Sequence, residues 1–320
     1  VSTRFELQRS GWPAQYFYIT PVAGQVYEKT LAVIRLVDSS GNGIQDGVVS
    51  YYDGSWHSLG NTDKDGIYLA QLDGNRTGSI TFRMTLGGVY VQKLQKLTSD
   101  SFVLFQTRKV TFTLLDSTGK ILEGTASYRD DSWHDFGDGT TGSTMELLPT
   151  NYTFKVGYLG ATDQKIQNIG EVPNVVFQTK KVSFRLLTSD GVTELDGKAS
   201  VRSNAWMDFG ETGRTGGTME LLPVNHTFKV EYLGASLQKI QDVGKDPNVV
   251  FQTGAVILHY AGGTMRYRTD SWYSYNGALE MLPVSTMFQL QRDGWPTQTF
   301  NITPVAGQVY EKTLAVIRLV

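Results

Sequence analysis

The stretch Val175-Val176-Phe177-Gln178-Thr179-Lys180-Lys181-Val182-Ser183-Phe184-Arg185-Leu186-Leu187 decides the fold of this chain. It contains no Gly, Pro or Asn, and its β-branched and aromatic residues predict one unbroken β-strand. Its first half returns at 103–107 and 249–253, and its second half returns at 110–115. Because the stretch closes one repeat and opens the next without a linker, it predicts a tandem array of small domains.

A longer repetition surrounds these joints. Residues 1–37 return at 284–320 with 31 of 37 positions identical, which gives a period of 283 residues. We therefore expect the chain to be a window of a longer repeat polymer. Threonines at the joints (Thr30, Thr107, Thr179, Thr253 and Thr313) divide the period into four repeats. The predicted domains are 1–30, the C-terminal part of a fourth-type repeat; 31–107, the first repeat; 108–179, the second; 180–253, the third; 254–313, a shortened fourth; and 314–320, the opening strand of the next first repeat.

The composition narrows the class of protein. With 29 basic and 31 acidic residues the chain has no basic surface for nucleic acid, so we expect no nucleic-acid partner. It has no apolar run long enough to cross a membrane, so no membrane span is expected in this segment. It also has no cysteine, which excludes disulfides and cysteine-based metal or catalytic sites.

The second repeat predicts about seven short strands separated by turns, the pattern of a small β-sandwich. Alternation at Phe154, Val156 and Tyr158 places every second residue on one face. We expect Phe112, Leu114, Phe154, Val156 and Phe177 in the core. The predicted fold class is all-β, a tandem array of small seven-stranded Ig-like or transthyretin-like β-sandwiches joined by continuous strands.

The order of motifs in the second repeat resembles the Cna protein B-type, or carboxypeptidase-regulatory-like, domain. The motifs are the Asp-Ser-Thr-Gly turn at 116–119, the Glu-Leu-Leu-Pro segment at 146–149 and the Asn-Tyr-Thr-Phe-Lys-Val strand at 151–156. The resemblance implies a transthyretin-like sandwich in the stalk of a microbial surface protein. Many such domains carry a Lys–Asn isopeptide bond, but Leu115 and Leu187 stand where the lysine would be, so none is expected.

A tryptophan recurs in every repeat, at Trp56, Trp133, Trp206 and Trp272. Such a series could form a ladder of carbohydrate-stacking platforms along the array. Alternatively, each indole could pack at one end of its sandwich or at the joint to a neighbour, because aromatic side chains bury a large apolar area. Packing is the favoured interpretation, and it extends to Trp12 and Trp295 in their Gly-Trp-Pro settings.

Two acidic segments resemble cation sites without completing one. Asn61, Asp63, Asp65 and Gly66 match the start of a calcium loop, but Leu72 stands where a bidentate Glu is needed. We interpret the segment as an ordinary Asp-Gly turn. A second acidic tip, with Asp130 and Asp131 at its centre, is interpreted as a solvated loop, and no metal or other cofactor is expected.

Four sequons fit N-glycosylation, on condition that the protein is exported. Three of them occupy equivalent turns before the fifth strand of a repeat, although Asn also suits such a turn without any sugar. The candidate residues are Asn75, Asn151, Asn225 and Asn301.

The sequence contains no arrangement typical of catalysis, and no enzyme is expected. Glu146, Glu220 and Glu280 recur in the Leu-Pro motif of successive repeats, which indicates an architectural role. The predicted function is therefore a structural extracellular or cell-surface protein that forms a stiff filament or adhesin stalk. Its expected partners are copies of itself or the continuing polymer. The alternative is a carbohydrate-binding module that grips cell-surface glycans with the repeated tryptophans.

Overall fold

The computed structural model describes residues 1–315 and 317, and every regular element in them is a β-strand. A two-stranded hairpin is followed by sheets of three and four strands that recur in pairs. The hairpin and the strands of the first pair are β1 (Thr3–Leu7), β2 (Gln15–Ile19), β3 (Lys29–Val37), β4 (Val48–Tyr52), β5 (Trp56–Asn61), β6 (Ile67–Asp73), β7 (Ser79–Leu86), β8 (Val89–Lys96) and β9 (Phe102–Gln106).

The same succession of seven strands follows three more times. The second pair of sheets holds β10 (Arg108–Leu115), β11 (Thr125–Arg129), β12 (Trp133–Thr140), β13 (Thr144–Leu147), β14 (Asn151–Tyr158), β15 (Ala161–Asn168) and β16 (Asn174–Gln178). The third holds β17 (Lys180–Leu187), β18 (Lys198–Arg202), β19 (Trp206–Asp208), β20 (Thr218–Leu221), β21 (Asn225–Tyr232), β22 (Ala235–Asp242) and β23 (Asn248–Gln252). The fourth holds β24 (Gly254–His259), β25 (Thr264–Arg268), β26 (Trp272–Ser274), β27 (Leu279–Met281), β28 (Thr286–Gln291), β29 (Gln298–Ile302) and β30 (Val309–Thr313).

Each pair of sheets is built in the same order. In the third pair the three-stranded sheet runs β20-β17-β23 and the four-stranded sheet runs β19-β18-β21-β22. The central strand β17 is antiparallel to β20 and parallel to β23. The predicted all-β class of small seven-stranded sandwiches is confirmed, and we refer to the four pairs as the first to fourth sandwiches.

The cores follow from the strand alternation. Phe112, Leu114, Phe154, Val156 and Phe177 are all buried, as expected. In the second sandwich the ring of Phe112 lies 5.5 Å from that of Phe136 and 6.1 Å from that of Phe154, distances typical of aromatic packing. Residues on the inner faces of both sheets therefore supply the core.

The chain divides into two compact bodies. One comprises Val1–Thr113, Thr125–Val156 and Gln164–Val176, and the other comprises Leu114–Gly124, Gly157–Asp163 and the chain from Phe177 onward. The division falls inside the second predicted repeat, and the repeat boundaries stay predictions. The predicted opening strand 314–320 falls mostly outside the described residues, while the amide of Leu314 donates to the carbonyl of His259 in β24 (2.8 Å).

The predicted strand Val175–Leu187 is divided at one residue. β16 ends at Gln178, β17 begins at Lys180, and Thr179 between them still donates its amide to the carbonyl of Leu115 (2.9 Å). The reason is that the chain leaves one sheet and enters the next at this residue. Thr107 and Thr253 likewise lie between two strands, whereas Thr30 and Thr313 lie within β3 and β30.

Candidate functional site: carboxylate clamps between sandwiches

The repeated glutamates lie at the breaks between sheets. Glu220 stands opposite Lys181, near the start of β17, because β20 pairs antiparallel with that strand. Glu146 stands opposite Lys109 in the same way. The register therefore places each carboxylate beside the threonine that precedes the strand.

Each of these carboxylates accepts three hydrogen bonds. Glu146 accepts one from the Thr107 hydroxyl (2.5 Å), one from the Ser39 hydroxyl (2.5 Å) and one from the Ser39 amide (3.1 Å). Ser39 lies in the turn after β3, so the carboxylate joins two separate parts of the first sandwich. Hydrogen bonds to an ionised group are stronger than neutral ones. We call this arrangement of Ser, Glu and Thr a carboxylate clamp.

The clamp occurs twice more with the same atoms. Glu220 accepts hydrogen bonds from the Thr179 hydroxyl, the Ser117 hydroxyl (2.5 Å) and the Ser117 amide (3.1 Å). Glu280 accepts them from the Thr253 hydroxyl, the Ser189 hydroxyl (2.7 Å) and the Ser189 amide (2.9 Å). Thr107, Thr179 and Thr253 are buried, so each clamp holds its hydroxyl away from solvent.

The turn that carries each serine is held in shape by its own residues. In the second sandwich Asp116 accepts the amides of Thr118 (2.8 Å) and Lys120 (2.9 Å). The hydrogen bond from the Thr118 side chain, followed by these amides, lowers the pKa of Asp116. Burial and the nearby carboxylate of Glu220 raise the pKa of Tyr158. The Ser117 amide is thus presented to the clamp by a fixed turn.

A second contact accompanies the clamp. Within the acidic tip interpreted above as solvated, Asp130 instead accepts the amide of Gly88, from the turn between β7 and β8 (3.2 Å), while Asp131 is exposed. Burial acts to raise the pKa of Asp130, but the hydrogen bonds from Gly88 and from the tip itself lower it to about 2. At the next joint, a Cβ on Gly160 would lie only 2.1 Å from Asn204. Each tip therefore rests on a turn of the sandwich before it.

The contact between the third and fourth sandwiches follows the same plan. The Thr269 hydroxyl donates to the carbonyl of Leu233 (2.7 Å), and a Cβ on Gly234 would lie 2.0 Å from Asp270. Leu233 has a φ of 49° and Gly234 a φ of 71°, so the turn is left-handed at both residues. Glycine is therefore required at 234 both by its conformation and by the close tip.

The joint before the first sandwich is fastened differently. The clamp glutamates stand opposite Lys109 in β10 and Lys181 in β17. Leu31 occupies the equivalent position in β3, but the residue opposite it is Gln71 rather than a glutamate. Instead, Trp12 packs edge-on against Phe102 with ring centroids 4.9 Å apart. Arg9 pairs with Asp100 (2.8 Å) beside it. A packed indole and an exposed ion pair thus replace the carboxylate.

The four repeated tryptophans lie on the exposed surface rather than in the cores. Each begins the edge strand of a four-stranded sheet and keeps 37–39% of its surface exposed. A cation lies over each ring, at 3.6 Å for Arg83 on Trp56, 4.1 Å for Lys155 on Trp133, 5.0 Å for Lys229 on Trp206 and 5.6 Å for Arg266 on Trp272. The indoles are therefore half-buried beside a positive charge.

The remaining candidate residues lie as follows. Asn75, Asn151, Asn225 and Asn301 are all exposed, and their glycosylation stays a prediction. Asp63 accepts the amides of Asp65 (2.9 Å) and Ile67 (2.8 Å), which is the geometry of a turn. Within the described chain, the ligand atoms of Asp130, Asp131 and His134 come within 4.8 Å of one another, and these side chains form hydrogen bonds within the tip.

The sequence analysis identified the glutamates and threonines of the clamp, but not their serine partners or the contacts between them. Repetition identified the glutamates as architectural, but their partners are far away in the chain: Ser117 lies 103 residues before Glu220. The recurring signal that could have found them is a Ser in the turn after the first strand of a repeat, followed by the joint Thr.

No element among the described residues is a helix of the length and apolar character needed to cross a membrane.

Three of the solved structures that are similar to this chain come from bacteria. The Bacillus anthracis TIE protein matches 92% of this chain and 75% of its own, with 9% identity and a TM-score of 0.21. A streptococcal ancillary pilin matches 69% and 97%, with 14% identity and a TM-score of 0.20. BcpA, the major pilin subunit of Bacillus cereus, matches 90% and 99%, with 12% identity and a TM-score of 0.20.

The second and third of these chains are pilins. With TM-scores near 0.2 they do not superpose on this chain as wholes, so the fold rests on its own sheets. No protein-family description matches the sequence. No curated protein matches it either.

Proposed function

We propose that the protein is a structural element of an extracellular or cell-surface filament or stalk, without enzymatic activity. One observation carries the proposal: the carboxylate clamp occurs at three successive joints with the same three side chains. A site used once for binding or chemistry has no need to recur at every joint. A device that fixes how neighbouring domains meet does need to recur.

The clamps support local stiffness. A sandwich joined to the next by a single residue has little freedom compared with one on a flexible linker. A charged group that holds a hydroxyl and an amide from the preceding sandwich restricts that freedom further. We therefore propose that successive sandwiches form a stiff array, and that the 283-residue period repeats in a longer polymer.

The hairpin at residues 1–30 supports the idea of a repeated polymer. Phe5 in β1 is 44% exposed, whereas its counterpart Phe288 in β28 is fully buried. In the fourth sandwich β25 pairs with β28, and Phe288 belongs to a core that includes Val256 and Met281 of the facing sheet. A copy of the segment 254–283, supplied by the continuing polymer or by a neighbouring subunit, would complete the hairpin in the same way.

Small-angle X-ray scattering tests the proposed stiffness. The parent chain should scatter as an elongated rigid particle, because each clamp fixes its joint. The triple variant E146Q/E220Q/E280Q should keep its β content but scatter as a flexible chain of domains. Identical scattering from parent and triple variant would show that the clamps do not determine stiffness. A compact parent particle would contradict the stalk itself.

The exposed tryptophans support a second candidate function, glycan binding. Half-exposed indoles at the same position in four sandwiches offer a regular series of stacking surfaces. Titration with cell-surface polysaccharides should then quench the indole fluorescence. The variant Trp206→Ala should lose about a quarter of that response if the four sites are equal. If no polysaccharide changes the fluorescence spectrum, the glycan-binding function is contradicted and only the structural function remains.

A further inference from the structure

The edge strands of the three-stranded sheets are closed by a repeated Lys-X-Gln segment. In the third sandwich the carbonyl of Pro247 and the amide of Thr253 form hydrogen bonds with β17. Because backbone groups alternate in direction along a strand, the carbonyls of Asn248 and Val250 point away from β17, to the outer side of β23. Lys239 donates to the carbonyl of Val250 (2.7 Å), and Gln241 donates to that of Asn248 (3.0 Å). An edge whose outward carbonyls are already bonded is a poor template for another strand.

The second sandwich carries the same closure, and the first carries part of it. Lys165 donates to the carbonyl of Val176 (2.7 Å), and Gln167 donates to that of Asn174 (3.0 Å). In the first sandwich Lys93 donates to the carbonyl of Leu104 (3.4 Å), but Gln95 donates to the carbonyl of Asp100 (2.8 Å), which lies just before β9. The second and third sandwiches are therefore capped at two carbonyls of this edge, and the first at one.

The fourth sandwich lacks both donors. In the third, Lys239 stands opposite Phe228 and Gln241 opposite His226. In the fourth, the corresponding residues opposite Phe288 and Thr286 are Phe300 and Ile302. Hydrocarbon side chains cannot donate a hydrogen bond, so nothing at these two positions can cap the carbonyls of the edge strand β30.

The edge at β30 is also open to solvent. Val309 is 59% exposed. A groove of about 300 Å³ lies beside the strand and is lined by Leu290, Phe300, Tyr310 and Leu314, among others. The carbonyl of Gln308 and the amide of Leu314 form hydrogen bonds with β24. By the same alternation, the backbone groups of Val309 and Glu311 point away from β24. An exposed edge of this kind can accept a further strand.

We propose that β30 is a lateral interaction surface and that its partner is the β30 strand of a second copy, paired antiparallel. In the register centred on Tyr310, the two Tyr310 rings stand opposite each other, Val309 faces Glu311 and Lys312 faces Gln308. The outward groups of Val309 and Glu311 then form hydrogen-bonded pairs. Such pairing is symmetric and closes on itself.

The charge pattern of the strand argues against two neighbouring registers. Centring the pair on Glu311 would set two carboxylates opposite each other, and centring it on Lys312 would set two ammonium groups opposite each other. Like charges directly opposite destabilise a strand pair. This inference rests on the proposed structural function and adds to it one lateral contact per 283-residue period, through the fourth sandwich only.

Sedimentation equilibrium of the whole chain tests the proposal. The parent should dimerise reversibly. The variant F300K/I302Q, which transfers the Lys-X-Gln segment to β29, should weaken the dimer by more than about tenfold, since β30 would be capped. The control Thr299→Lys adds the same charge on the opposite face of the strand and should dimerise like the parent. Circular dichroism reports whether each variant is folded.

A second variant guards against misfolding. Val309→Pro removes an N–H that faces away from β24, so the sandwich should fold while the dimer is lost. A parent that stays monomeric at all concentrations would overturn the proposal, as would a dimer that F300K/I302Q and Val309→Pro leave intact. Neither result touches the scattering test of the clamps, so the two proposals can fail separately.

Discussion

The carboxylate of Glu220 accepts a hydrogen bond from the buried hydroxyl of Thr179, the residue at which the chain leaves β16 and enters β17. The same carboxylate holds the amide and the hydroxyl of Ser117, in a turn at the far end of the preceding strand β10. One side chain of the third sandwich thus fixes two points of the chain before it. The joint is determined by this contact as well as by the connection through the backbone.

Replacing the clamp carboxylate should loosen one joint only. Glu220→Gln keeps the shape but removes the charge and sets an amide NH₂ against a hydrogen-bond donor. The expected loss of stability is about 1–3 kcal/mol, the cost of an unsatisfied buried polar group. Hydrogen exchange should become faster at the Ser117 amide. Glu211→Gln, on an exposed glutamate nearby, is the control, and unchanged protection of Ser117 in Glu220→Gln would contradict the clamp.

The threonine hydroxyl can be tested at constant volume. Thr179→Val retains the β-branched shape but leaves the Glu220 carboxylate with one donor fewer, and should cost about 1–2 kcal/mol in thermal or denaturant unfolding. Thr179→Ser keeps the hydroxyl and should cost less than the valine variant. If serine were the more damaging substitution, packing of the methyl group rather than the hydrogen bond would be the important contribution.

The turn glycine tests the second contact of the joint. Gly234→Ala places a methyl group against Asp270 at a left-handed residue, whereas Gly54→Ala meets the same backbone penalty with nothing within 4 Å. Gly54→Ala should cost about 1–2 kcal/mol from its conformation alone. Gly234→Ala should cost about 1–3 kcal/mol more, because the tip must move. Equal losses in the two variants would mean that the tip does not press on the turn.

His226 should make the stability of the third sandwich depend on pH. Burial lowers the pKa of His226 from the ordinary value of 6.5, and the hydrogen bond with the carbonyl of Leu222 (2.9 Å) opposes this shift only in part. The unfolded chain then binds more protons than the folded one just below pH 6.5, so stability is full above that value and falls as the pH decreases towards the lowered pKa.

His226→Tyr provides the matched control for that prediction. Tyrosine already fills the equivalent position at Tyr152 in the second sandwich, where it is buried. The variant should fold and should lose the decline in stability below pH 6.5. Unfolding midpoints measured from pH 8 to pH 5 would show it. A parent midpoint that does not fall over this range would contradict the assignment of a neutral buried histidine.

Much of the fold could be predicted because it is local. Alternation at Phe154 and Val156 identified the inner face, and Gly- and Asp-rich turns marked the ends of strands. The break at Thr179 could not be predicted, since nothing in its β-forming neighbours announces a change of sheet. Thr30 lies inside β3 instead, where it pairs with Leu72 in a strand far along the chain.

The functional contacts were harder to predict because they join distant residues. Glu146, Glu220 and Glu280 could be recognised as architectural from their repetition, but Ser39, Ser117 and Ser189 look like ordinary turn residues. The sequence predicts a solvated acidic loop at Asp130, and only the structure shows the amide of Gly88 donating to this carboxylate. The edge of β30 is open because the side chains of Phe300 and Ile302 cannot donate hydrogen bonds to its carbonyls. The sequence shows this only once the register of the strands is known.

Electron microscopy of the native material tests the central claim most directly. Four sandwiches in a stiff array should give uniform filaments with an axial repeat of roughly 120–160 Å, estimated from long strands such as β7, β14 and β21, of 8 residues each, and their loops. Filaments with this repeat, or with a shortened version of it, would establish the structural function. Discrete short particles with no axial repeat would contradict it.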